Sequence, residues 1–205
     1  MEIKPIVRLI DDDLEYLESE AYLLRKLGYS VISYAGAQDF LENGDSDSPG
    51  CAVIDIKMPQ IDGLQLQRIL REREIFLPII FLTGHGEIDM AVYAVQNGAV
   101  GFLQKPIDAE ALGKHIEKAF EIDDRARSSA KNIEEAKNRF NLLTLREKEV
   151  CALLVKGFLN KQIAYELGIS EHTVKVHRAS ARNKMKIRTP IEFVKLMEKV
   201  GLLKE

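Results

Sequence analysis

The sequence predicts an α/β fold, a doubly wound sheet of five parallel strands, followed by a helical linker and a small all-α domain. Three observations carry this prediction. Short apolar runs alternate with helical patterns over the first ~120 residues, no Gly or Pro interrupts residues 121–140, and only helical periodicity follows. With 205 residues, 46% of them hydrophobic and 30% charged, the chain is long enough for one or two domains and unlike a disordered or fibrous protein.

The predicted strands are five short apolar runs, most of them rich in Val and Ile. This composition is typical of strands that are buried on both faces of a parallel sheet. The runs occupy residues 6–10, 31–34, 51–54, 79–82 and 100–103.

The predicted helices lie between these strands, where apolar residues recur every three or four positions. Gly28 follows the first helix as a C-cap and Asp108 precedes the last as an N-cap, while the polar loop 43–50 is expected to be mobile. The apolar stripes are Leu14, Leu17, Ala21 and Leu24; Leu66, Ile69 and Leu70; Ile88, Ala91 and Val95; and Leu112, Ile116 and Ala119.

Charge divides the chain into two unlike halves. Residues 1–135 carry 14 Lys and Arg against 25 Asp and Glu, a net charge of −11, whereas residues 136–205 carry 15 against 7, a net charge of +8. Such asymmetry indicates two modules with different partners, and a polyanion suits the second. From Thr173 to Arg188 there are six basic residues and no acid. This run is equally consistent with a solvated helix face.

Polar and charged side chains follow four of the predicted strands. Asp11 and Asp12 follow the first strand, Asp55 follows the third, Thr83 follows the fourth and Lys105 follows the fifth. Ligands of open parallel sheets bind outside the carboxyl ends of the strands, so these side chains meet in one crevice if their strands are neighbours. Crowded carboxylates repel one another unless a cation compensates, and a set of oxygen donors suits Mg²⁺ better than zinc.

This combination of side chains favours phosphoryl chemistry. A carboxylate beside Mg²⁺ can attack phosphorus because the metal neutralises the phosphoryl oxygens, which Lys105 and Thr83 can also bind. Taken singly, each residue has a simpler interpretation. Thr83 is then an ordinary strand-end hydroxyl, Lys105 a surface lysine, Asp13 a helix N-cap and Asp62 a turn or cap residue. Their joint occurrence at the ends of four strands indicates a site.

Five segments of the first half occur in the order and at the spacing of a known family. They are Leu9-Ile10-Asp11-Asp12-Asp13, Val53-Ile54-Asp55-Ile56-Lys57-Met58-Pro59, Asp62-Gly63, Leu82-Thr83-Gly84-His85-Gly86 and Phe102-Leu103-Gln104-Lys105-Pro106. On these segments, residues 3 to about 122 resemble the receiver domain of two-component response regulators. The resemblance implies a CheY-like fold, with the strand order 2-1-3-4-5.

The resemblance also implies an acceptor and its metal. Asp55 would accept a phosphoryl group. Mg²⁺ would be held by Asp11, Asp12, Asp55 and the backbone carbonyl of Lys57, partly through water.

Phosphoryl binding and a conformational switch are implied in the same way. Thr83 and Lys105 would bind the phosphoryl oxygens, and the peptide bond between Lys105 and Pro106 would be cis. Thr83 and Phe102 would shift on phosphorylation and remodel the surface of the helix between the fourth and fifth strands, which is helix four of the family, and of the fifth strand. Plain core packing is an equal interpretation of Phe102.

Residues 123–140 are predicted to form a helical linker between a receiver at residues 1–122 and a second domain at residues 141–205. Small or apolar residues recur there every three or four positions, which favours a helix over a loose coil. A partly frayed tether fits the sequence equally well.

The second domain is predicted to contain a helix-turn-helix. Thr144 and Glu147 have the spacing of a capping box at the start of one helix. A second helix begins near Asn160 and ends at Gly168, and Ser170 caps a third helix that continues to about Met185. Within the third helix, Val174 and Ala181 point inward. The outward candidates are Thr173, Lys175, Val176, Arg178 and Lys184.

A second family is indicated by segments of this domain. They are Leu143-Thr144, Arg146-Glu147, Glu149-Val150, Gly157, Asn160-Lys161-Gln162-Ile163-Ala164, Leu167-Gly168-Ile169-Ser170, Thr173-Val174-Lys175-Val176-His177-Arg178 and Lys184-Met185. On these segments, residues 142 to about 203 resemble the output domain of the LuxR and NarL/FixJ regulators. The Thr-Gly-His-Gly stretch makes the chain more similar to FixJ than to NarL.

This second resemblance implies contacts with double-stranded DNA. Lys175 and Val176 would contact base edges, since Lys can read guanine and Val can touch a thymine methyl. Phosphates would be contacted by Lys161, Thr173, His177, Arg178 and Lys184. A core or capping role is a second interpretation of His177.

Together these features predict a transcriptional regulator of a two-component system that is switched by phosphorylation. A sensor histidine kinase would donate the phosphoryl group, and acetyl phosphate could replace it in vitro. The phosphorylated chain would form a homodimer through helix four and strand five, bind promoter DNA and activate transcription together with RNA polymerase. The unphosphorylated receiver would hinder the DNA-binding domain or fail to dimerise.

Two other classes of protein are less consistent with the sequence. A phosphatase of the haloacid-dehalogenase type needs a second Asp two residues after its nucleophile, where Lys57 stands, so we expect no enzyme beyond the receiver's own phosphorylation and dephosphorylation. An adaptor that binds only proteins does not explain the basic run.

Cys51 and Cys151 fit buried thiols of a reducing compartment. Without a signal peptide or a membrane-spanning run, the chain is expected in the cytoplasm, with no membrane partner.

Overall fold

The computed structural model describes residues 4–84, 94, 96–187 and 189–199. Its strands are β1 (Ile6–Ile10), β2 (Ser30–Tyr34), β3 (Gly50–Asp55), β4 (Ile79–Thr83) and β5 (Gly101–Gln104). Its helices are α1 (Leu14–Lys26), α2 (Ala37–Asn43), α3 (Gly63–Glu72), α4 (Ala109–Asn141), α5 (Leu145–Val155), α6 (Asn160–Leu167), α7 (Glu171–Met185) and α8 (Pro190–Lys199). The predicted helix with Ile88, Ala91 and Val95 lies outside the described residues, as do His85, Gly86 and Arg188.

All five strands pair in parallel, in the order β2-β1-β3-β4-β5. This confirms the order implied by the receiver resemblance, and each strand begins and ends within one residue of its predicted position. The register places Ile10 beside Ile54 and Asp55 beside Leu82. Because neighbouring parallel strands end at the same edge of a sheet, the residues that follow β1, β3, β4 and β5 share one edge.

Apolar side chains form one core layer on each face of the sheet. One layer joins Val7, Leu9, Val53, Ile80 and Leu82 to Leu17, Ala21 and Leu24 of α1 and to Leu112, Ile116 and Ala119 of α4. The other layer joins Ile10, Ala52, Ile54 and Phe81 to Phe40 of α2 and to Leu66 and Leu70 of α3. Helices therefore cover both faces, and the predicted doubly wound sheet is confirmed.

Side-chain caps begin the helices at the predicted residues. Asp13 accepts a hydrogen bond from the backbone N–H of Tyr16 at 3.0 Å at the start of α1, and Asp108 accepts one at 3.0 Å in the first turn of α4. Asp62 begins α3 with a full capping box, so its interpretation as a cap residue is correct. Leu14 belongs to the predicted apolar stripe of α1 but is 64% exposed, because it is the first helical residue.

The longest helix, α4, has 33 residues. It contains the whole of the predicted linker 123–140, so the linker is helical rather than a frayed tether. The contacts of the chain divide it into two units, Met1–Arg127 and Ser128–Glu205, and the division falls inside that linker. Neither α4 nor any other helix within the described residues combines the length and the hydrophobicity of a membrane span.

The polar loop 43–50 is held in place by charged side chains of the first unit. Arg8, which is fully buried in β1, and Arg127 of α4 donate hydrogen bonds to three backbone carbonyl oxygens of the loop. Asp123 accepts a hydrogen bond from the backbone N–H of Gly50 at 2.8 Å and two from Arg127 at 2.9 and 2.8 Å. The loop that was predicted to be mobile is therefore anchored, because two guanidinium groups satisfy its carbonyl oxygens.

The second unit contains α5 to α8 around two apolar clusters. One cluster contains Ala136, Leu143, Cys151, Ala181, Met185, Phe193 and Met197, and the other contains Val150, Ile163, Ala164 and Val174. Thr144 and Glu147 form the predicted capping box, and Gly168 ends α6 at a φ of 64°. Ser170 accepts a hydrogen bond from the backbone N–H of Thr173 at 3.0 Å and begins α7. The predicted helix-turn-helix is therefore present as α6 and α7.

Both cysteines are buried and free, as the sequence predicted. Burial raises the pKa of the Cys51 thiol to about 12 and that of the Cys151 thiol to about 11. Both thiols are therefore protonated at neutral pH and act as small apolar side chains of the core.

Candidate functional site

Three carboxylates meet at the edge of the sheet where the strands end. Asp11 and Asp12 directly follow β1, Asp55 is the last residue of β3, and each offers an oxygen within 4.8 Å of the others. Asp11 is 1% exposed and Asp55 is 6% exposed, whereas Asp12 is open to solvent. The predicted crevice therefore forms, with two of its acids shielded from water.

Lys105 supplies a positive charge to this cluster. It follows β5, and its Nζ lies 2.5 Å from Asp11 Oδ2 and 2.7 Å from Asp55 Oδ1. The peptide bond between Lys105 and Pro106 is cis, as the receiver resemblance implies. The lysine is thus a half-buried ion-pair partner of the two acids rather than a solvated surface lysine.

The electrostatics of the cluster follow from burial and from this ion pair. Burial raises the pKa of Asp55, while hydrogen bonding and charge from Lys105 and a backbone hydrogen bond from Lys57 act in the opposite direction. Burial alone would lower the pKa of Lys105, but its hydrogen bonds to Asp11 and Asp55 outweigh burial and raise it. Lys105 therefore stays cationic, and the cluster keeps a positive charge beside the Asp55 carboxylate.

The donor set of the cluster fits a hard divalent cation. Three carboxylates can supply several oxygen ligands, and Asp12 is accessible from solvent. Neither His nor Cys belongs to the group, which suits Mg²⁺ better than zinc. Lys57, two residues after Asp55, has an exposed side chain and lies close enough for its backbone to bond the Asp55 carboxylate.

Thr83 lies on β4, next to β3, and Phe102 lies on β5, on the far side of β4. Thr83 is the last residue of β4, 4% exposed, and its hydroxyl donates a hydrogen bond to the carbonyl oxygen of Gly84 at 3.2 Å. Phe102 lies on the edge strand β5 and is 41% exposed. Core packing is therefore the wrong interpretation of Phe102, because its ring reaches the surface.

Helix α7 presents a basic face to solvent. Val174 and Ala181 are buried at 0% and 2% exposure, as predicted, and they attach α7 to the rest of its unit. Lys175 and Val176 are exposed, and Val176 is 53% exposed despite its apolar side chain. An exposed Lys and Val side by side on a capped helix have the form of a reading edge for the major groove.

The residues predicted to contact DNA phosphates differ in how far they are exposed to solvent. Lys161, on α6, is exposed, and Thr173 and His177 are half-buried. Arg178 is half-buried and donates a hydrogen bond to Asn160 Oδ1.

Lys184 is engaged inside its own unit. Its Nζ lies 2.7 and 3.0 Å from the two carboxylate oxygens of Glu147, which is 3% exposed. Ser180 also donates a hydrogen bond to Glu147 at 2.6 Å. A DNA contact by Lys184 stays a prediction.

Sequence reasoning missed two residues of these sites. Arg182 is exposed and, with Lys175 and Arg178, lines a cavity of about 230 Å³ beside α7. The basic run contains Arg182, so its charge was the available signal. Tyr16 places its ring centroid 4.2 Å from the Nζ of Lys105. No spacing pattern could reveal this contact, because the two residues are far apart in the chain.

Comparison with known families decides what these two sites belong to. Residues 7–117 match the response regulator receiver domain family, and residues 141–197 match the bacterial regulatory proteins of the luxR family. The chain is a response regulator of the NarL/FixJ type. As the sequence predicted, this response regulator belongs to a two-component system, binds DNA and regulates transcription.

Curated relatives match nearly the whole length of the response regulator. It is 40% identical over 195 residues to the response regulator protein TodT of Pseudomonas putida F1, which covers 95% of this chain and 86% of TodT. It is 35% identical over 205 residues to the transcriptional regulatory protein FixJ of Bradyrhizobium diazoefficiens, which covers 100% of both chains.

Solved structures resemble the response regulator over the same length. The response regulator StyR has a TM-score of 0.84 at 39% identity, covering 96% of this chain and 99% of StyR. Full-length FixJ of B. japonicum has a TM-score of 0.59 at 35% identity, covering 98% of this chain and 99% of that one. Both neighbours agree with a receiver followed by a helical DNA-binding domain.

Proposed function

We propose that phosphorylation of Asp55 switches this response regulator into a DNA-binding dimer that activates transcription. The observation that carries the proposal is the strand-end cluster, in which Lys105 lies 2.5 Å from Asp11 and 2.7 Å from Asp55. A carboxylate that is shielded from bulk water and paired with a cation is placed to act as a nucleophile towards phosphorus. A sensor histidine kinase is the proposed donor in the cytoplasm, and acetyl phosphate is a substitute in vitro.

Each residue of the cluster has a role in the transfer. A carboxylate oxygen of Asp55 attacks phosphorus while the donor's leaving group departs. Mg²⁺, held by Asp11, Asp12, Asp55 and the carbonyl of Lys57, would neutralise charge on the phosphoryl oxygens. Lys105 moves from the Asp55 carboxylate to a phosphoryl oxygen.

Phosphorylation adds a dianion at Asp55. This charge favours the receiver conformer in which hydrogen-bond donors reach the phosphoryl oxygens. The Thr83 hydroxyl, at the neighbouring strand end, donates to a phosphoryl oxygen, and Phe102 on β5 follows this movement. A shift from 1:99 to 99:1 between two conformers needs about 5.5 kcal/mol of differential binding. The exposed Phe102 ring on an edge strand supports a dimer surface at β5. The proposed surface also includes helix four of the family, which lies outside the described residues. Without phosphorylation, the receiver fails to dimerise or hinders the DNA-binding domain.

The exposed face of α7 is the proposed reading surface for promoter DNA. Lys175 and Val176 contact base edges in the major groove. Phosphate contacts come from Lys161, Thr173, His177 and Arg178, to which the structure adds Arg182 as a candidate. RNA polymerase is the proposed partner of the bound dimer.

We propose no catalysis of external substrates by this response regulator. A phosphatase with an aspartyl intermediate needs an acid to protonate its leaving group, and the chain has Lys57 at the corresponding position. The receiver then catalyses only its own phosphorylation and dephosphorylation. An adaptor function would leave the exposed basic face of α7 without a partner.

A mobility-shift assay tests the proposal directly. The full chain is treated with acetyl phosphate and Mg²⁺, and a duplex that it selects from a random pool is titrated. We expect phosphorylation to raise the affinity for DNA and to convert a monomer into a dimer, as measured by light scattering. Equal affinity and an unchanged oligomeric state before and after phosphorylation would contradict the switch.

Replacing Lys175 by Ala should weaken binding of the selected duplex about 5- to 150-fold and leave phosphorylation unchanged. The physical reason is the loss of one base contact, worth about 1–3 kcal/mol. The measurement is a mobility-shift titration of the phosphorylated protein. Lys137→Ala, which removes an exposed lysine of α4, is the matched control and should bind normally. Equal affinities for the Lys175 variant and the control would exclude Lys175 from the reading surface.

Binding of the duplex should weaken steeply with salt, by about 10²–10³-fold between about 50 and 200 mM. Each phosphate contact by Lys or Arg releases condensed counterions, and two or three such contacts per protomer give this dependence. Fluorescence anisotropy over a range of KCl concentrations measures the slope. Arg182→Ala should reduce it by about one unit per protomer. A slope near zero is incompatible with a phosphate-binding face.

A further inference from the structure

The aromatic ring of Tyr16 is a third group in contact with the Lys105 ammonium group, besides Asp11 and Asp55. The Tyr16 ring centroid lies 4.2 Å from Lys105 Nζ, while Asp11 Oδ2 and Asp55 Oδ1 lie 2.5 and 2.7 Å from the same atom. Only 23% of the Lys105 side chain is exposed. At this distance the negative face of the ring attracts the cation, and the attraction strengthens where water is partly excluded.

The position of the Tyr16 ring follows from the start of α1. Asp13 accepts a hydrogen bond from the backbone N–H of Tyr16 at 3.0 Å, which fixes Tyr16 in the first turn. Glu20, one turn later in α1, lies next to the Tyr16 hydroxyl. Tyr16 Oη and Glu20 Oε2 are both shielded from solvent, and neither makes a well-formed hydrogen bond within the described residues. Burial is the main cause that raises the pKa of both groups, so the phenol stays neutral.

Phosphoryl transfer requires the ammonium group to move while staying in the site. Before transfer, Lys105 binds the two carboxylates. After transfer, one Asp55 oxygen is esterified, and the cation must follow the charge to the phosphoryl oxygens. A hydrogen-bond acceptor would hold Lys105 in one direction only, whereas a ring face attracts a cation over a broad area. Tyr16 can therefore keep Lys105 in the crevice in both states.

We propose that Tyr16 is a positioning residue that holds the Lys105 ammonium group over the phosphoacceptor and thereby speeds phosphoryl transfer to Asp55. The proposal rests on the proposed function, since it concerns the rate of that transfer. Tyr16 touches neither the phosphoryl donor nor the reacting oxygen, and it acts only through Lys105.

Two substitutions separate the ring from the hydroxyl. In the full chain with acetyl phosphate and Mg²⁺, Tyr16→Leu should phosphorylate Asp55 about fivefold more slowly, since one cation–ring contact is lost. Tyr16→Phe keeps the ring and should react within about twofold of the wild-type rate. Tyr22→Leu is the matched control, because it removes a similar ring contact to Lys26, at 4.7 Å, on the exposed side of α1. We expect that control to react at the wild-type rate.

A second measurement reads the position of Lys105 without any reaction. Above the face of an aromatic ring, the proton resonances of the lysine ε-methylene move upfield, and a Lys105→Arg spectrum assigns them. The upfield shift should be present in the wild type and in Tyr16→Phe and absent in Tyr16→Leu. Thermal unfolding of each variant shows that it is folded.

The outcomes distinguish this inference from the proposed function. A wild-type chain that takes no phosphoryl group on Asp55 refutes the proposed function, while the lysine resonances still test the contact between Tyr16 and Lys105. A Tyr16→Leu variant that reacts as fast as the wild type, or that keeps the upfield shift, overturns the inference alone. A Tyr16→Phe variant as slow as Tyr16→Leu also overturns it, because the hydroxyl would then be the group that matters.

Discussion

Replacing Asp55 by Asn should abolish phosphorylation of the full chain by acetyl phosphate and Mg²⁺, with a loss on the order of 10³-fold or more in rate. The amide is nearly isosteric with the carboxylate but carries no nucleophilic oxygen of comparable strength. It also removes one negative charge from the group that Lys105 binds at 2.7 Å. Intact-protein mass spectrometry measures the gain of one phosphoryl group, and peptide mapping locates it. Phosphorylation-dependent DNA binding should be lost together with it.

Asp13→Asn is the matched control for this prediction. Asp13 belongs to the same acidic run as Asp11 and Asp12, but it is exposed and caps α1, and Asn is an equally good N-cap. The control should therefore fold and be phosphorylated like the wild type. A phosphoryl group on another residue of the Asp55 variant would refute the assignment of the acceptor.

Replacing Glu147 by Gln should cost about 3 kcal/mol of the free energy of unfolding of the DNA-binding unit at pH 7. Glu147 is 3% exposed, its two oxygens lie 2.7 and 3.0 Å from Lys184 Nζ, and it accepts further hydrogen bonds from Ser180 and Thr144. Burial raises the pKa of this carboxyl, but its partners outweigh burial and lower the pKa from 4.5 to about 2. Urea denaturation followed by circular dichroism measures the loss.

The pH dependence of this effect has a definite sign. Because the folded-state pKa of Glu147, about 2, lies below its ordinary value of 4.5, the stabilisation is complete above pH 4.5. It is lost as the pH falls from 4.5 to 2, where the folded carboxylate takes up a proton. The difference between the wild type and Glu147→Gln should shrink over the same interval. If the stability difference between the two proteins stays constant from pH 4.5 to 2, the ion pair is not the source of that difference.

Glu149→Gln provides the control on the same helix. Glu149 pairs with Arg146 at 2.9 Å, but the two side chains are 35% and 54% exposed. Solvent screens such a pair, so its loss should cost no more than about 0.5 kcal/mol. If both variants lose the same stability, burial of Glu147 is not the cause.

Assays of Lys184 variants in DNA binding also need this stability measurement, because removing Lys184 leaves a buried carboxylate unpaired.

Local patterns were sufficient for most elements of the fold. Runs of Val and Ile predicted all five strands to within one residue, and Asp13, Thr144 and Ser170 predicted where three helices begin. Two helices in the described part of the chain were not predicted. Helix α2 has seven residues and no side-chain cap at Gly36, so it lacks the usual start signal and a long apolar stripe. Helix α8 was missed, although it buries Phe193 and Met197 in the core of the second unit.

The sequence by itself determined the alternation of strands and helices, the caps and the residues at the strand ends, because these depend on neighbours a few positions apart in the chain. Only the tertiary structure decided which distant groups meet. Lys105 binds Asp11 and lies against the ring of Tyr16. Arg8 and Arg127 together anchor the loop 43–50, and Glu147 binds Lys184. Burial strengthens each of these contacts by excluding water, and neither burial nor distance between remote residues is written in local spacing.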